Sequence, residues 1–273
     1  MGAAFSDLLF HHRLLFLVIM FLALVLALEI GLRIGGHRRA RIGERADEGA
    51  ALVVGSILGL LAFVLALNLS NATSRFERRV ESTLQEVNAI GTALLQAEAV
   101  GGDQAAGMVA NLRDYMELRY LYIQAGRDSP EFARIGAETN ALQRELWAQM
   151  TERIRESPTD PVSELMSSMN AAFDSSTAMQ LAMEYRMPAQ VIWLLLVMSQ
   201  LGIAAVGYQF GLTGRRGRAP GLVLSVLWCA VVTEIVDIGS ARIWSFRTDT
   251  RVYEWAMEGL DMPLPSTSQA TGE

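Results

Sequence analysis

The sequence predicts an all-α membrane protein, with four transmembrane helices and an extramembrane helical bundle inserted between spans two and three. Three observations predict it. The apolar residues gather into four blocks long enough to cross a bilayer. The polar middle is divided into helices by glycine and proline punctuation. No stretch alternates with the two-residue period of a half-buried strand. Bulk composition alone would not decide, because 51% hydrophobic residues over 273 and a mean hydropathy of +0.26 also suit a soluble domain.

The first segment, 1–49, holds one span and a short charged loop. His11, His12 and Arg13 mark the edge of the span, and without a third ligand nearby the histidines form no metal site. Span one runs from about Leu14 to Ile34. Its apolar run is too long for a signal peptide and no A-x-A site follows it. Glu29 lies inside it, one turn before Arg33. A carboxylate at that depth is costly against lipid, so it faces protein or water, and an i,i+4 pair with Arg33 is the simplest arrangement. Gly35-Gly36 ends the helix, and Arg38, Arg39, Arg41 and Arg45 follow.

The segment 50–212 carries span two, four extramembrane helices and span three. Span two begins as an apolar run from Ala51 to Leu67 and becomes charged without a break. No glycine or proline falls between Gly59 and Gly91, so one helix of roughly 70 Å is expected to cross the bilayer and continue into water. Ala51, Gly55, Gly59, Ala62 and Ala66 form a stripe of small residues. Such a stripe serves packing within the chain, a subunit interface or a pore-facing surface. Asn68, Asn71 and Arg75 belong to a polar collar at the end of the span. If they line a pore, they offer neutral donors and positive potential to a partly dehydrated anion. Beyond it, Phe76, Val80, Leu84, Val87, Ile90 and Leu94 mark a buried face. A second helix covers about 103–125 with Asp103 as cap. A third runs from Pro130, capped by Ser129, to about Glu156. A fourth starts at Pro161, capped by Asp160, and continues to a proline kink at Pro188.

On the first of these helices Glu86, Asn88 and Thr92 form either a solvated face or a buried polar network. In the network, Glu86 pairs with Arg119 or Arg113 and Asn88 bonds across the bundle. Span three covers about 189–212. The segment 213–246 holds an arginine-rich loop and span four, where Glu234 and Asp237 lie one turn apart with Arg242 beyond. They form a structural ion pair or an ion path. Cys229, the single cysteine, is a small core residue. The tail, 247–273, mixes Tyr253 and Trp255 with charges, as a segment at lipid headgroups does, and then becomes disordered.

All 23 basic residues are arginines, and the net charge of −6 gives no footprint for nucleic acid. No nucleophile–base constellation, metal spacing or phosphate loop is present, so neither an enzyme nor a bound cofactor is expected. The short loops carry the arginines that positive-inside reasoning places in the cytoplasm, but the other side has nearly as many.

The run Arg75-Phe76-Glu77-Arg78-Arg79, followed by Glu86-Val87-Asn88-Ala89-Ile90-Gly91-Thr92, resembles the signature of the bacterial bestrophin-like membrane proteins, a family without an assigned activity. Leu112-Arg113-Asp114-Tyr115 with Arg119 is similar to its second-helix motif. Asn170 with Asp174 is similar to its fourth-helix motif, and Arg186, Pro188 and Trp193 to its approach to span three. The likeness covers about 50–245, although Asp237 to Arg242 lacks the family's proline. The expected structural polar network consists of Glu86, Asn88, Arg113, Arg119 and Asn170. The more distant bestrophins proper are oligomeric anion channels of similar layout. That resemblance implies a homo-oligomer in a bacterial inner membrane, with lipid and inorganic anions as partners and the helical bundle in the cytoplasm. The competing expectation is a membrane-anchored helical interaction module without transport.

Overall fold

The structure is a computed structural model that describes residues 13–42, 48–125, 129–185, 187–214, 217–239 and 249–265. The described residues form eight helices and no strand: α1 (Arg13–Ile42), α2 (Glu48–Val100), α3 (Asp103–Gln124), α4 (Pro130–Glu156), α5 (Asp160–Glu184), α6 (Ala189–Thr213), α7 (Arg218–Gly239) and α8 (Arg251–Gly259). Four helical stretches are long and apolar enough to cross a membrane. The chain forms two compact units. The first holds α1, α2 as far as Phe76, α6 and α7. The second holds α2 from Glu77, then α3, α4, α5 and α8.

In the first unit, α1 and α6 run parallel and touch backbone to backbone. A Cβ added at Gly31 would overlap the Ala204 carbonyl, and one at Gly35 the Tyr208 carbonyl. From the other side, Gly207 and Gly211 press on the carbonyls of Leu28 and Leu32. Each helix thus brings a G-x-x-x-G pair to one seam, the arrangement that lets membrane helices approach most closely. The sequence reading placed its G-x-x-x-G pair on α2 and overlooked these two.

The rest of the unit follows from that seam. Phe16, Met20, Leu24 and Leu28 form one stripe on α1 and join Leu195, Ile203, Cys229, Val232 and Ile235 in the core. Leu28 sits in the notch left by Gly221 of α7. The Trp228 indole donates to Ser199 Oγ at 2.9 Å, which ties α7 to α6. α6 ends at Gly214 with φ 66°, and the Arg39 guanidinium lies where a side chain there would be. A cation at a helix C-terminus is favourable.

α2 is unbroken over 53 residues, about 80 Å of helix. Its apolar half touches the first unit along a thin line of Val54, Leu61, Leu65 and Ala72. Leu61 fills the notch at Gly202 of α6. The fourth extramembrane helix does not continue into span three: α5 ends at Glu184 and α6 begins at Ala189. Pro188 has no N–H to donate and disfavours helical geometry in the residue before it, so it separates two helices here instead of kinking one. Span four is described as far as Gly239, which leaves Arg242 outside the described residues.

In the second unit, Val87, Ile90, Leu94 and Ala97 of α2 and Met108, Leu112, Tyr115 and Met116 of α3 are all buried. Ile135, Leu146 and Met150 of α4 and Leu165, Met169 and Met179 of α5 complete the core. Val87, Ile90 and Leu94 are buried as expected, but the turns before them differ. Arg79, Thr83 and Glu86 point inward, whereas Leu84 is 45% exposed. Ser129 accepts from the Phe132 N–H at 3.1 Å, but Gly102 and Thr159, not Asp103 and Asp160, occupy the caps of α3 and α5. The tail differs most from expectation. Tyr253 and Met257 of α8 are fully buried in this unit's own core, whereas Trp255 between them is 63% exposed.

Two substitutions separate the seam from the free face of α2. Gly211→Ala forces two backbones apart and is expected to cost about 1–3 kcal/mol, the usual range for overpacking. Gly55→Ala meets nothing within 4 Å and should leave stability unchanged. Thermal unfolding in detergent should rank them in that order.

Candidate functional site

The small-residue stripe lies on the exposed part of α2, and the polar collar is only partly exposed. Ala51, Gly55, Gly59, Ala62 and Ala66 are all exposed, so packing within the chain does not account for them. Around the same half, Leu52, Val53, Leu60, Phe63 and Leu67 stay 49–74% exposed. Asn68, Asn71 and Arg75 follow at spacings of three and four and share one face. Asn68 is half-buried and donates one amide hydrogen to the Val64 carbonyl at 2.8 Å. Its second amide hydrogen remains available as a donor. Asn71 is exposed and Arg75 half-buried.

Of the charges expected within spans, Glu29 holds two arginines. Arg33 approaches at 3.1 Å and Arg218 at 3.2 Å. Arg218 opens α7, and the sequence reading had left it in a loop. Asp237 is fully buried in the first unit, and Glu234 is half-buried one turn before it. No group of three His, Cys, Asp or Glu able to hold a metal occurs among the described residues.

The second unit contains a buried ionic site. Glu86 is fully buried and receives two charge-assisted bonds, from Arg119 Nε at 2.5 Å and from the Tyr253 hydroxyl at 2.7 Å. The Arg119 guanidinium carbon lies 4.4 Å from the Tyr122 ring centroid, a cation–π contact, and Nη2 reaches Met179 Sδ at 3.7 Å. Burial disfavours the charged guanidinium, but Glu86, Tyr253 and Tyr115 together outweigh burial and raise the Arg119 pKa. Burial, and then the negative charge of Glu86, push the Tyr253 phenol well above its ordinary range. Tyr253 also packs edge-on against Tyr120, with ring centroids 6.3 Å apart. A small polar cavity of about 170 Å³ opens beside Arg119, lined by Asn140, Gln143, Ser176 and Gln180, with room for several waters.

The other residues expected in this network stand apart from it. Arg113 bonds Glu98 at 3.1 Å. Asn88 and Asn170 lie on exposed faces. Asn88 faces outward because α2 turns Glu86, Val87 and Ile90 inward. Tyr253 is the member the sequence reading missed. It is distant in the chain, and only its spacing of four to Met257 marked it.

The site predicts two measurements. Glu86→Gln leaves Arg119 buried without its counter-charge and should cost about 3–5 kcal/mol. Tyr253→Phe removes one bond to a charged group and should cost about 1.5–3 kcal/mol. Because the folded pKa of Tyr253 lies above its unfolded value, its contribution is complete below about pH 10. It falls as pH rises beyond that, where the unfolded chain ionises first. Denaturation of the full chain at pH 8 and pH 11 should show a loss in wild type that is smaller in Tyr253→Phe.

No family model matches the chain, and no curated protein matches it. Solved structures do. A bacterial bestrophin homologue from Klebsiella pneumoniae matches with a TM-score of 0.63 at 14% identity, over 90% of this chain and 99% of that one. Two structures of membrane protein variants match at 0.66 and 0.65, with 13% and 16% identity, over 89% and 91% of this chain and 97% and 99% of theirs. At such identities the likeness is one of architecture, and the fold of this chain is that of the bacterial bestrophin homologues.

Proposed function

We propose that the chain is one subunit of a homo-oligomeric channel that passes ions, anions by preference, across a bacterial inner membrane. In this reading the first unit lies in the bilayer, and the second is the helical bundle inserted between spans two and three. The observation that carries it is the bare apolar half of α2. Its small residues are exposed in the single chain, and a G-x-x-x-G stripe that packs on nothing among the described residues suits a neighbouring copy. Four spans of one chain enclose no pore, so conduction requires several α2 helices around an axis.

Asn68 and Asn71 would then supply N–H donors to an anion that has shed part of its hydration, and Arg75 a fixed positive potential at the end of the apolar stretch. The fold shared with bestrophin homologues supports the same reading. It assigns no catalysed reaction.

Chloride flux into liposomes containing purified full-length chain tests the proposal, together with the mass of the detergent-solubilised particle. An oligomer with flux is expected. Arg75→Gln should lower anion-over-cation selectivity several-fold. Gly59→Trp should give a folded chain that no longer assembles, since a side chain there meets nothing within the subunit. A wild-type monomer without flux would instead favour a membrane-anchored interaction module.

A further inference from the structure

A cleft of about 510 Å³ opens on the first unit between α1, the start of α2 and α6. Ile30 and Ile34 of α1 form one wall, and Val53 and Ile57 of α2 face them. Ile30, Ile34 and Val53 are 46–58% exposed. Arg38 and Tyr208 also line it. The channel reading uses only the α2 edge of this space, at Val53.

The cleft has a direction. Arg38 and Ala50 lie toward the loop that joins α1 to α2, whereas Ile30 and Ile57 lie deeper. From Ile30 to Arg38 is about 12 Å of helix. One leaflet of hydrocarbon is about 15 Å deep. An apolar trough of nearly that depth, with a guanidinium at its loop end, matches a phospholipid in both length and charge: acyl chain along the isoleucines, phosphate at Arg38. Among the described residues, the same end of the unit carries Arg33, Arg39, Arg41 and Arg218, against Glu29 and Glu48. The chemistry therefore favours a headgroup with net negative charge over a zwitterion.

We infer that this cleft is a binding site for one anionic phospholipid, held by its acyl chain in the α1–α2–α6 trough and by its phosphate on Arg38. The inference rests on the placement of the first unit in a bilayer and not on conduction.

The test uses full-length chain in detergent, titrated with phosphatidylglycerol and with phosphatidylcholine of the same acyl chains, and read by native mass spectrometry. Wild type should prefer phosphatidylglycerol. Arg38→Gln should reduce that preference about five-fold, the effect of one arginine near a membrane surface. Arg41→Gln, which does not line the cleft, should leave it intact. Val53→Trp fills the trough from an exposed position and should lose the bound lipid altogether, with Ile34→Trp on the opposite wall as the second filling variant. Equal binding of both lipids by wild type would overturn the inference, as would an unchanged preference in Arg38→Gln. A disulfide between copies of Ile34→Cys would make the cleft a seam between subunits and overturn it too. A chain that passes no ions yet shows the lipid preference leaves this site standing and removes only the channel reading.

Discussion

The contact on which the first unit depends is the backbone-to-backbone seam between α1 and α6. Between helices in lipid there is no gain from removing apolar surface from water, because the lipid is as apolar as leucine. What remains is close van der Waals contact, which requires the absence of side chains. Gly31, Gly35, Gly207 and Gly211 provide that absence on both partners. With α1 and α6 fixed, the leucine stripe of α1 has a defined direction, and Leu28 reaches the notch in α7. α2 is the helix left over. It leans on the pair through little more than Leu61 in its glycine notch, and most of its circumference is open.

The second unit is held by a different kind of interaction. Its core is ordinary methionine, leucine and tyrosine, but Glu86 and Arg119 lie inside it. Burying both charges is costly. The cost is offset only because every partner is in place: a short ion pair, a phenol from α8 and an aromatic ring beneath the guanidinium. In a chain without lysine the cation of this pair is a guanidinium, which does not lose its proton at any physiological pH. The pair therefore acts as a permanent fastening between α2, α3 and α8.

Much of this could be read from residue order. Span length and punctuation located the helices, because both depend on neighbours a few residues apart. The carboxylate at Glu86 asked for a cation on the next helix, and Arg119 is the one of two candidates that meets it. What the order concealed was pairing between distant segments. G-x-x-x-G pairs occur on α1, α2 and α6, and nothing local tells which are used inside the chain. Hydropathy assigned Leu84 to the inside of α2, whereas the inside there is polar, with Arg79, Thr83 and Glu86 turned inward. Tyr253 resembled a headgroup anchor because an amphipathic tyrosine suits a lipid surface and a buried carboxylate equally well. At the collar, the sequence located the polar residues, but only three-dimensional packing shows that Gly55 and Gly59 before them meet nothing among the described residues.

The α1–α6 seam also has a consequence for the order of synthesis. Its two halves are separated by most of the chain, so α1, once made, waits for α6. At about 5–20 residues per second that wait lasts on the order of tens of seconds. During it, Gly31 and Gly35 have only lipid against them. A nascent chain that stalls before Ala204 keeps that bare glycine strip, so an unfinished copy differs from a finished one in a surface the seam would cover.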